Sequence, residues 1–314
     1  MNKTENILIT GGSGNLGTEI IKLLLNQHKN QDVLIHNVDL RPSEIQSDRI
    51  YNHLIDIRSE EVGQIIKKQN IKRVIHLVAI IGGRNLSAEM VEDIEISGLR
   101  NVLDACVKEN VEHFLFTSSG SVYGYRPDLP KRIPETNQLF NNHVIAYGKN
   151  KVMAEKLILD YRERYNLNVT VFRICSILGK NIDNLICRWF KRKRIIGLKG
   201  FSTPFSFIWD QDVANCAVEA IDRKLTGIYN LTGEGALTLK EIAEIQSKKY
   251  FEVNDRFLGR TLGLLNRISK VEYKKEYLDF IRYRPILDST KFKKDFIYKI
   301  KMNSKEAFLT YINE

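Results

Sequence analysis

A tyrosine and a lysine four residues apart, in Tyr147-Gly148-Lys149-Asn150-Lys151, open a stretch whose apolar spacing predicts a helix over residues 146–164. The i, i+4 interval sets both side chains on one helix face. A phenol, with an ordinary pKa of about 10, is a poor base at neutral pH. A neighbouring ammonium, or a cationic ring bound beside it, favours the phenolate and brings it toward the range of a general base. A second group of chemical interest is hydroxyl-rich: Thr117-Ser118-Ser119-Gly120-Ser121 leaves the end of an apolar run at residues 114–117. Ligands of doubly wound sheets bind outside the carboxyl ends of strands, so a hydroxyl here can reach a substrate oxygen.

A third group holds phosphate. The run at residues 7–10 passes into Gly11-Gly12-Ser13-Gly14-Asn15-Leu16-Gly17 and then directly into a helical pattern. Strand, glycine turn and helix in that order form the setting of a dinucleotide-binding turn. Gly11 permits the tight turn, Gly14 lets a pyrophosphate approach the backbone, and Gly17 lets helix and strand pack closely, with Asn15 and Leu16 opening the helix at its positive end. An acid is then expected at the end of the second strand, and Asp39 stands there. Its carboxylate would accept from adenosine ribose hydroxyls and repel a 2′-phosphate, which favours NAD over NADP. Arg41, two residues on, is able to clamp that phosphate instead, so the alternative stays open. Asp56 and Ile57, after the third apolar run, are placed to meet the adenine.

Regular elements must position these groups. Short β-branched runs at residues 7–10, 33–38, 74–77, 114–117 and 169–174 are predicted strands. Between them, residues 16–26, 59–69, 90–108 and 146–164 are predicted helices, which implies βαβ units and a parallel sheet covered on both faces. A further unit at 205–208, 213–221 and 228–231 returns to the sheet. The expected architecture is a Rossmann-like α/β domain from residues 1–178 plus 205–232. A smaller, mostly helical substrate lobe would come from 179–204 plus 233–314.

Taken together, these segments resemble the extended short-chain dehydrogenase/reductases, in particular their NAD-dependent epimerase/dehydratase group, over about the first three-quarters of the chain. Thr10 to Gly17 is similar to the family's T-G-x-x-G-x-x-G. His76-Leu77-Val78-Ala79 is similar to its H-L-A-A strand end, which implies that Leu77, Val78 and Ala79 lie against the cofactor. Thr117 to Gly124 resembles S-S-x-x-V-Y-G, which puts Ser119 at the catalytic Ser/Thr position. Residues 147–151 resemble Y-x-x-x-K, 172–179 resemble R-x-x-N-x-x-G, and 207–214 resemble F-I-H-V-D-D-V-A. The resemblance implies that Tyr147 exchanges a proton with a sugar hydroxyl and that Ser119 bonds the same oxygen. Lys151 would hold the nicotinamide ribose and tune Tyr147. Ser119, Ser121, Tyr147 and Ser176 are then the expected substrate contacts. The implied activity is NAD-dependent epimerisation of a nucleotide sugar through a keto intermediate. The alternatives are an NAD(P)H-dependent reductase of a keto-sugar or other carbonyl compound, and a dinucleotide-binding sensor without catalysis. Family members that dehydrate a 4-keto sugar carry Asp-Glu after the Ser/Thr; Gly120-Ser121 stands here, so no such activity is expected. Glu95 replaces the family's Asn early in its helix, Ser176 replaces another Asn, and Phe201 to Ser206 replaces a glycine-rich segment. All three departures lie on the substrate side.

Composition narrows the remaining classes. The 314 residues carry a formal net charge of +10, concentrated late in Lys191-Arg192-Lys193-Arg194, Lys274-Lys275 and Lys293-Lys294. No nucleic-acid module with interleaved basic and aromatic residues is present, so the charge is expected to solvate the surface or meet a substrate diphosphate. No apolar run of membrane-spanning length and no secretory leader pattern occurs, so a cytoplasmic enzyme with no membrane partner is expected. The four cysteines, Cys106, Cys175, Cys187 and Cys216, are scattered and read as reduced core thiols, and no metal site is expected. Family members often pair two helices per subunit into a homodimer. Leu99, Val102, Leu103, Leu157, Ile158 and Tyr161 are the corresponding contact residues here.

Overall fold

The structure, a computed structural model, describes residues 5–28, 33–80, 86–143, 145–254 and 278–314. Lys274 and Lys275 lie outside them. The first half runs β1 (Glu5–Thr10), α1 (Asn15–Gln27), β2 (Val33–Asp39), β3 (Ile50–Leu54), α2 (Glu61–Lys68), β4 (Arg73–His76) and α3 (Ala88–Glu92). A π-helical turn, Asp93–Ser97, joins α3 to α4 (Gly98–Lys108), and β5 (His113–Ser119) runs into a 3-10 turn, Gly120–Tyr123. After these come α5 (Ala146–Tyr165), β6 (Val169–Ile174), β7 (Ser176–Leu178), α6 (Leu185–Phe190), β8 (Arg194–Leu198), β9 (Pro204–Phe205), β10 (Phe207–Trp209), α7 (Asp210–Asp222) and β11 (Gly227–Leu231). The last part holds β12 (Leu237–Thr238), α8 (Leu239–Ile245), β13 (Lys249–Val253), α9 (Asp279–Arg282), α10 (Thr290–Asp295) and α11 (Ser304–Asn313).

Seven strands form one sheet in the order β11-β6-β5-β4-β1-β2-β3, and every neighbouring pair is parallel. The chain winds outward from β1 through β2 to β3, then returns to β4 on the other side of β1. That reversal opens a crevice at the carboxyl ends of β1 and β4, where doubly wound Rossmann-like sheets bind their ligands. β1 is apolar at Ile7, Leu8 and Ile9 in succession, and β6 is buried along its whole length with only Thr170 and Arg173 interrupting its apolar residues, because helices cover both faces. On one face Ile20, Ile21 and Leu24 of α1 pack with Val213, Ala217 and Ile221 of α7; Phe292 and Phe296 join this core. On the other, Val62 and Ile66 of α2 meet Leu99 and Leu103 of α4 and Ile158 of α5. A third, aromatic core gathers Phe190, Phe205, Phe207 and Phe308 around the short strands β9 and β10.

Two sequence expectations change here. The edge strand β3 has no apolar alternation to betray it; only pairing with β2 holds it extended, and Tyr51, Asn52 and Leu54 stay exposed. The expected dimer contacts Leu99, Val102, Leu103, Leu157, Ile158 and Tyr161 are all buried inside the subunit, in the core between α2, α4, α5 and the sheet. Their apolar periodicity serves the fold of one chain.

Candidate active site

The glycine turn lies in the crevice. Gly11 adopts φ +76°, and a Cβ there would sit 3.1 Å from the Val78 amide nitrogen, so Leu77 and Val78 run directly against the turn. The Leu77 amide donates to the Thr10 carbonyl at 2.9 Å, extending the β1–β4 pairing past His76. Gly14 caps α1 with extended backbone and makes no side-chain capping hydrogen bond there. A Cβ on Gly17 would fall 2.5 Å from the backbone of Gly12, so helix and turn touch as only glycine allows. The first turn of α1 carries no acid, which leaves its positive end suited to a phosphate. Asp39 ends β2 beside this turn and accepts from the Ser13 and Arg41 amides, each at 3.2 Å. The Arg41 guanidinium bends back toward the Ser13 carbonyl at 3.4 Å. Asn15 is drawn off the turn by its side-chain bond to the Asn181 carbonyl, and Leu16 packs against the α1–α7 core.

Asp56 and Ile57 depart from the simple expectation. Arg58 grips the Asp56 carboxylate through Nε at 2.9 Å and Nη2 at 2.7 Å, which lowers its pKa, and the same guanidinium binds Asp93 at 2.6 Å. Ile57 turns its side chain into the core beneath Gly98, so only its backbone remains to meet a ligand.

The catalytic candidates converge where β5 ends and α5 begins. Ser119 is the last residue of β5, and its hydroxyl accepts from the Ser121 amide at 3.2 Å, holding the 3-10 turn. Ser119 also bonds the Tyr147 hydroxyl. Lys151 is buried, donates to the Thr117 carbonyl at 3.1 Å, and lies 5.8 Å from the Tyr147 ring centre. The phenol moves opposite to the direction expected from Lys151 alone. Desolvation pushes Tyr147 up to about 12; the Ser119 bond pulls it down, and the charge of Glu95 and the Tyr125 phenol add to the rise. Burial likewise lowers Lys151, while the carboxylates of Glu95 and Glu155 pull it back up. Ser121 is buried with a hydroxyl that has no hydrogen-bond partner, which suits a ligand contact. Ser176, on β7, receives Arg284 Nη2 at 3.3 Å.

Several residues of this neighbourhood carried no assigned role in the sequence reading. Glu95 sits on the π-helical turn, a type of distortion frequent at functional sites. One of its oxygens accepts the Ile80 amide at 2.7 Å and the other the Asn150 side chain at 2.9 Å. It thus ties the loop after β4 to the helix bearing Tyr147 and Lys151. Glu155, one turn past Lys151, is fully buried; it accepts from Ser118 at 2.5 Å and from Arg173 Nη2 at 2.7 Å. A carboxylate among the buried Val152, Ala154, Leu157 and Ile158 was the visible signal for it. Arg284 is stacked 4.5 Å over Phe205 and 4.4 Å over Phe280, and it bonds the Tyr125 phenol. No motif announces it. It forms one wall of a cavity of about 490 Å³ that Arg126, Arg132, Ser202 and Thr232 also line.

A doubly wound sheet with a glycine-lined turn at its switch point and a Ser-Tyr-Lys group at the adjacent strand end defines a dinucleotide-binding fold with acid–base machinery. The sequence profile of the NAD dependent epimerase/dehydratase family matches residues 7–232. The chain belongs to that family. An N-acetyl-alpha-D-glucosaminyl-diphospho-ditrans,octacis-undecaprenol 4-epimerase of Escherichia coli O157:H7 is 27% identical, over 92% of this chain and 87% of its own length. A UDP-glucose 4-epimerase of Lactobacillus helveticus is 26% identical over 57% of this chain, and the match spans 54% of that protein. Among solved structures, the Thermus thermophilus UDP-glucose 4-epimerase, complexed with NAD, superposes with a TM-score of 0.74 at 19% identity, covering 98% of each chain.

Proposed function

We propose that this protein is an NAD-dependent epimerase of a sugar carried on a diphosphate, a nucleotide sugar in the first instance, acting through a transient keto-sugar. The observation that carries the reading is the convergence of Ser119, Tyr147 and Lys151 beside a turn that only glycines can line. The turn fits the cofactor: a Cβ at Gly11 or Gly17 would fill the space or break the packing that creates it. Gly11, Gly14 and the start of α1 would hold its pyrophosphate, Asp39 its adenosine ribose, and Leu77 to Ala79 its nicotinamide side.

NAD, held by the glycine turn, Asp39 and Lys151, would supply the acceptor and donor of the hydride at the sugar carbon. Tyr147 removes the proton of the hydroxyl on that carbon, leaving a carbonyl, and gives a proton back when the hydride returns to the opposite face. Ser119 bonds the same oxygen and the Tyr147 hydroxyl, aligning donor and acceptor. Lys151 would direct positive charge toward the phenolate and bond the ribose; burial lowers its pKa, and the carboxylates of Glu95 and Glu155 oppose that fall. Removing water would need an acid and a base after Ser119. Gly120 and Ser121 supply neither, so an isomer is the product.

Two relatives named above are, by name, enzymes of sugars carried on a diphosphate, which supports the substrate class. The test is incubation with NAD and a panel of UDP-, GDP- and dTDP-hexoses, with products resolved by chromatography and mass. An isomer of unchanged mass is expected; loss of about 18 mass units would overturn the reading. Arg41, whose guanidinium lies within 3.4 Å of the Ser13 carbonyl beside Asp39, favours a second reading, net reduction of a carbonyl with a phosphorylated cofactor. Tighter binding of NADP(H) than of NAD(H) would select it.

A further inference from the structure

The charge of the second half remains without a role in this chemistry. From Leu185 to Lys199 the chain holds Arg188, Lys191, Arg192, Lys193, Arg194 and Lys199 and no acid. All six cations are exposed. Among the described residues only Arg188 of these is in an ion pair, with Asp183. Lys249 on β13 is likewise exposed and unpaired. So dense a run of like charge repels itself unless an anionic surface neutralises it.

The same place exposes apolar side chains. β8 and β13 pair in parallel, with Arg194 beside Lys249, Ile195 beside Tyr250 and Ile196 beside Phe251. Strand alternation sends Ile195 and Tyr250 inward, onto the aromatic core. Arg194, Lys249, Ile196 and Phe251 therefore share the outer face. Ile196 is 47% and Phe251 45% exposed, with the Arg194 guanidinium 5.8 Å from the Phe251 ring. Parallel strands are ordinarily covered on both sides; among the described residues nothing packs over the outer side of this pair, where Ile196 and Phe251 stay exposed. On α6, Leu185 is 66% exposed.

We infer that this face, Ile196 and Phe251 set among Lys191 to Arg194 and Lys249, docks the protein on an anionic lipid bilayer. Apolar side chains that enter the acyl boundary, ringed by cations at the headgroup level, are what a peripheral membrane surface requires. A polyphosphate chain such as nucleic acid would use the cations but has no use for exposed Ile196. No helix among the described residues is long and apolar enough to cross a membrane, and a surface contact needs none; the expectation of no membrane partner rested only on the missing span. β8 leads within a few residues to Ser202 and Pro204, which line the 490 Å³ cavity, so the docked face and the cavity wall are one stretch of chain.

The experiment is co-sedimentation of the full chain with phosphatidylcholine vesicles containing about one-third phosphatidylserine, against pure phosphatidylcholine. Binding to the charged vesicles only, and its loss as salt is raised, is expected. Ile196→Glu with Phe251→Glu should cut partitioning at least about tenfold, since each removes a buried contact and adds repulsion. Lys191→Gln with Lys193→Gln should cut it about twenty-five-fold, at roughly fivefold per cation. Both double variants lie on exposed positions and should keep the parent melting temperature and NAD affinity. Equal pelleting with neutral vesicles, no pelleting, or insensitivity to both variants overturns the proposal. So does binding of a random DNA duplex that competes with the vesicles and ignores Ile196→Glu. None of these readouts depends on the enzymatic activity.

Discussion

Glu155 and Arg173 test the idea that a buried ion pair stands behind Ser119, Tyr147 and Lys151. The Glu155 side chain is 0% and that of Arg173 3% exposed, and the guanidinium meets the carboxylate through Nε at 3.0 Å and Nη2 at 2.7 Å. Its Nη1 donates to the Tyr123 hydroxyl at 2.9 Å and the Glu135 carbonyl at 3.0 Å, so every neighbour except Glu155 is neutral at these contacts. Burial alone would lower the Arg173 pKa; the pull of Glu155 outweighs it and the group stays charged. Glu155→Gln keeps the shape but strands that charge, and its NH2 group cannot accept the Arg173 N–H bonds that the carboxylate takes on both oxygens. Breaking one partner of such a pair costs about 3–5 kcal/mol. Unfolding entropy of about 2 cal/mol/K per residue, over roughly 300 residues, converts this to a melting temperature lower by about 5–8 °C. Scanning calorimetry measures it. Replacing both partners, Glu155→Gln with Arg173→Met, should recover most of the loss, because no orphaned charge remains. A single variant melting within about 1 °C of the parent, or a double variant no better than the single, would refute the reasoning.

Tyr147→Phe should lower turnover by about 10²–10⁴ with NAD affinity nearly unchanged, since only the proton-transferring group is lost; steady-state rates and cofactor titration together decide it, and near-normal turnover rejects the mechanism. Asp39→Asn should weaken NAD and narrow or invert its preference over NADP, measured by paired titrations; an unchanged ratio would assign the discrimination to Arg41. Burial holds His36 down to about 4, His76 to about 3 and His113 to about 4. The unfolded chain protonates these groups near their ordinary pKa of about 6.5 and the folded chain does not. Their contribution is therefore complete above about pH 6.5 and is lost as pH falls toward 4, so the melting temperature should drop steadily below about pH 6.5. A flat profile down to about pH 5 contradicts their burial as neutral rings.

The glycine turn, the strand and helix rhythm, and the Tyr-x-x-x-Lys pair are local in sequence, and local physics decides them. Gly17 must be glycine because the residue five positions earlier lies 2.5 Å from where its Cβ would be; i, i+4 spacing places Tyr147 and Lys151 on one face whatever surrounds them. The expected strands at residues 7–10 and 169–174 were legible because short runs rich in apolar β-branched residues, buried on both faces, mark them even where Thr170 and Arg173 interrupt the second. What the chain could not announce depended on neighbours distant in sequence. β3 is a strand only because β2 offers it an edge. The apolar faces of α4 and α5, legible as sticky, proved to be spent on the subunit's own core. Glu95 was visible only as an odd residue; its two bonds, to Ile80 15 residues back and Asn150 55 residues on, make it a link between the loop after β4 and the helix that carries Tyr147 and Lys151. Arg284 reaches Ser176 across 108 residues. The phenol of Tyr147 is the sharpest case. Spacing put a cation beside it and suggested a lowered pKa, yet desolvation and the charge of Glu95 raise it. Solvent exclusion and through-space charge belong to the folded surface, and no spacing in the sequence records them.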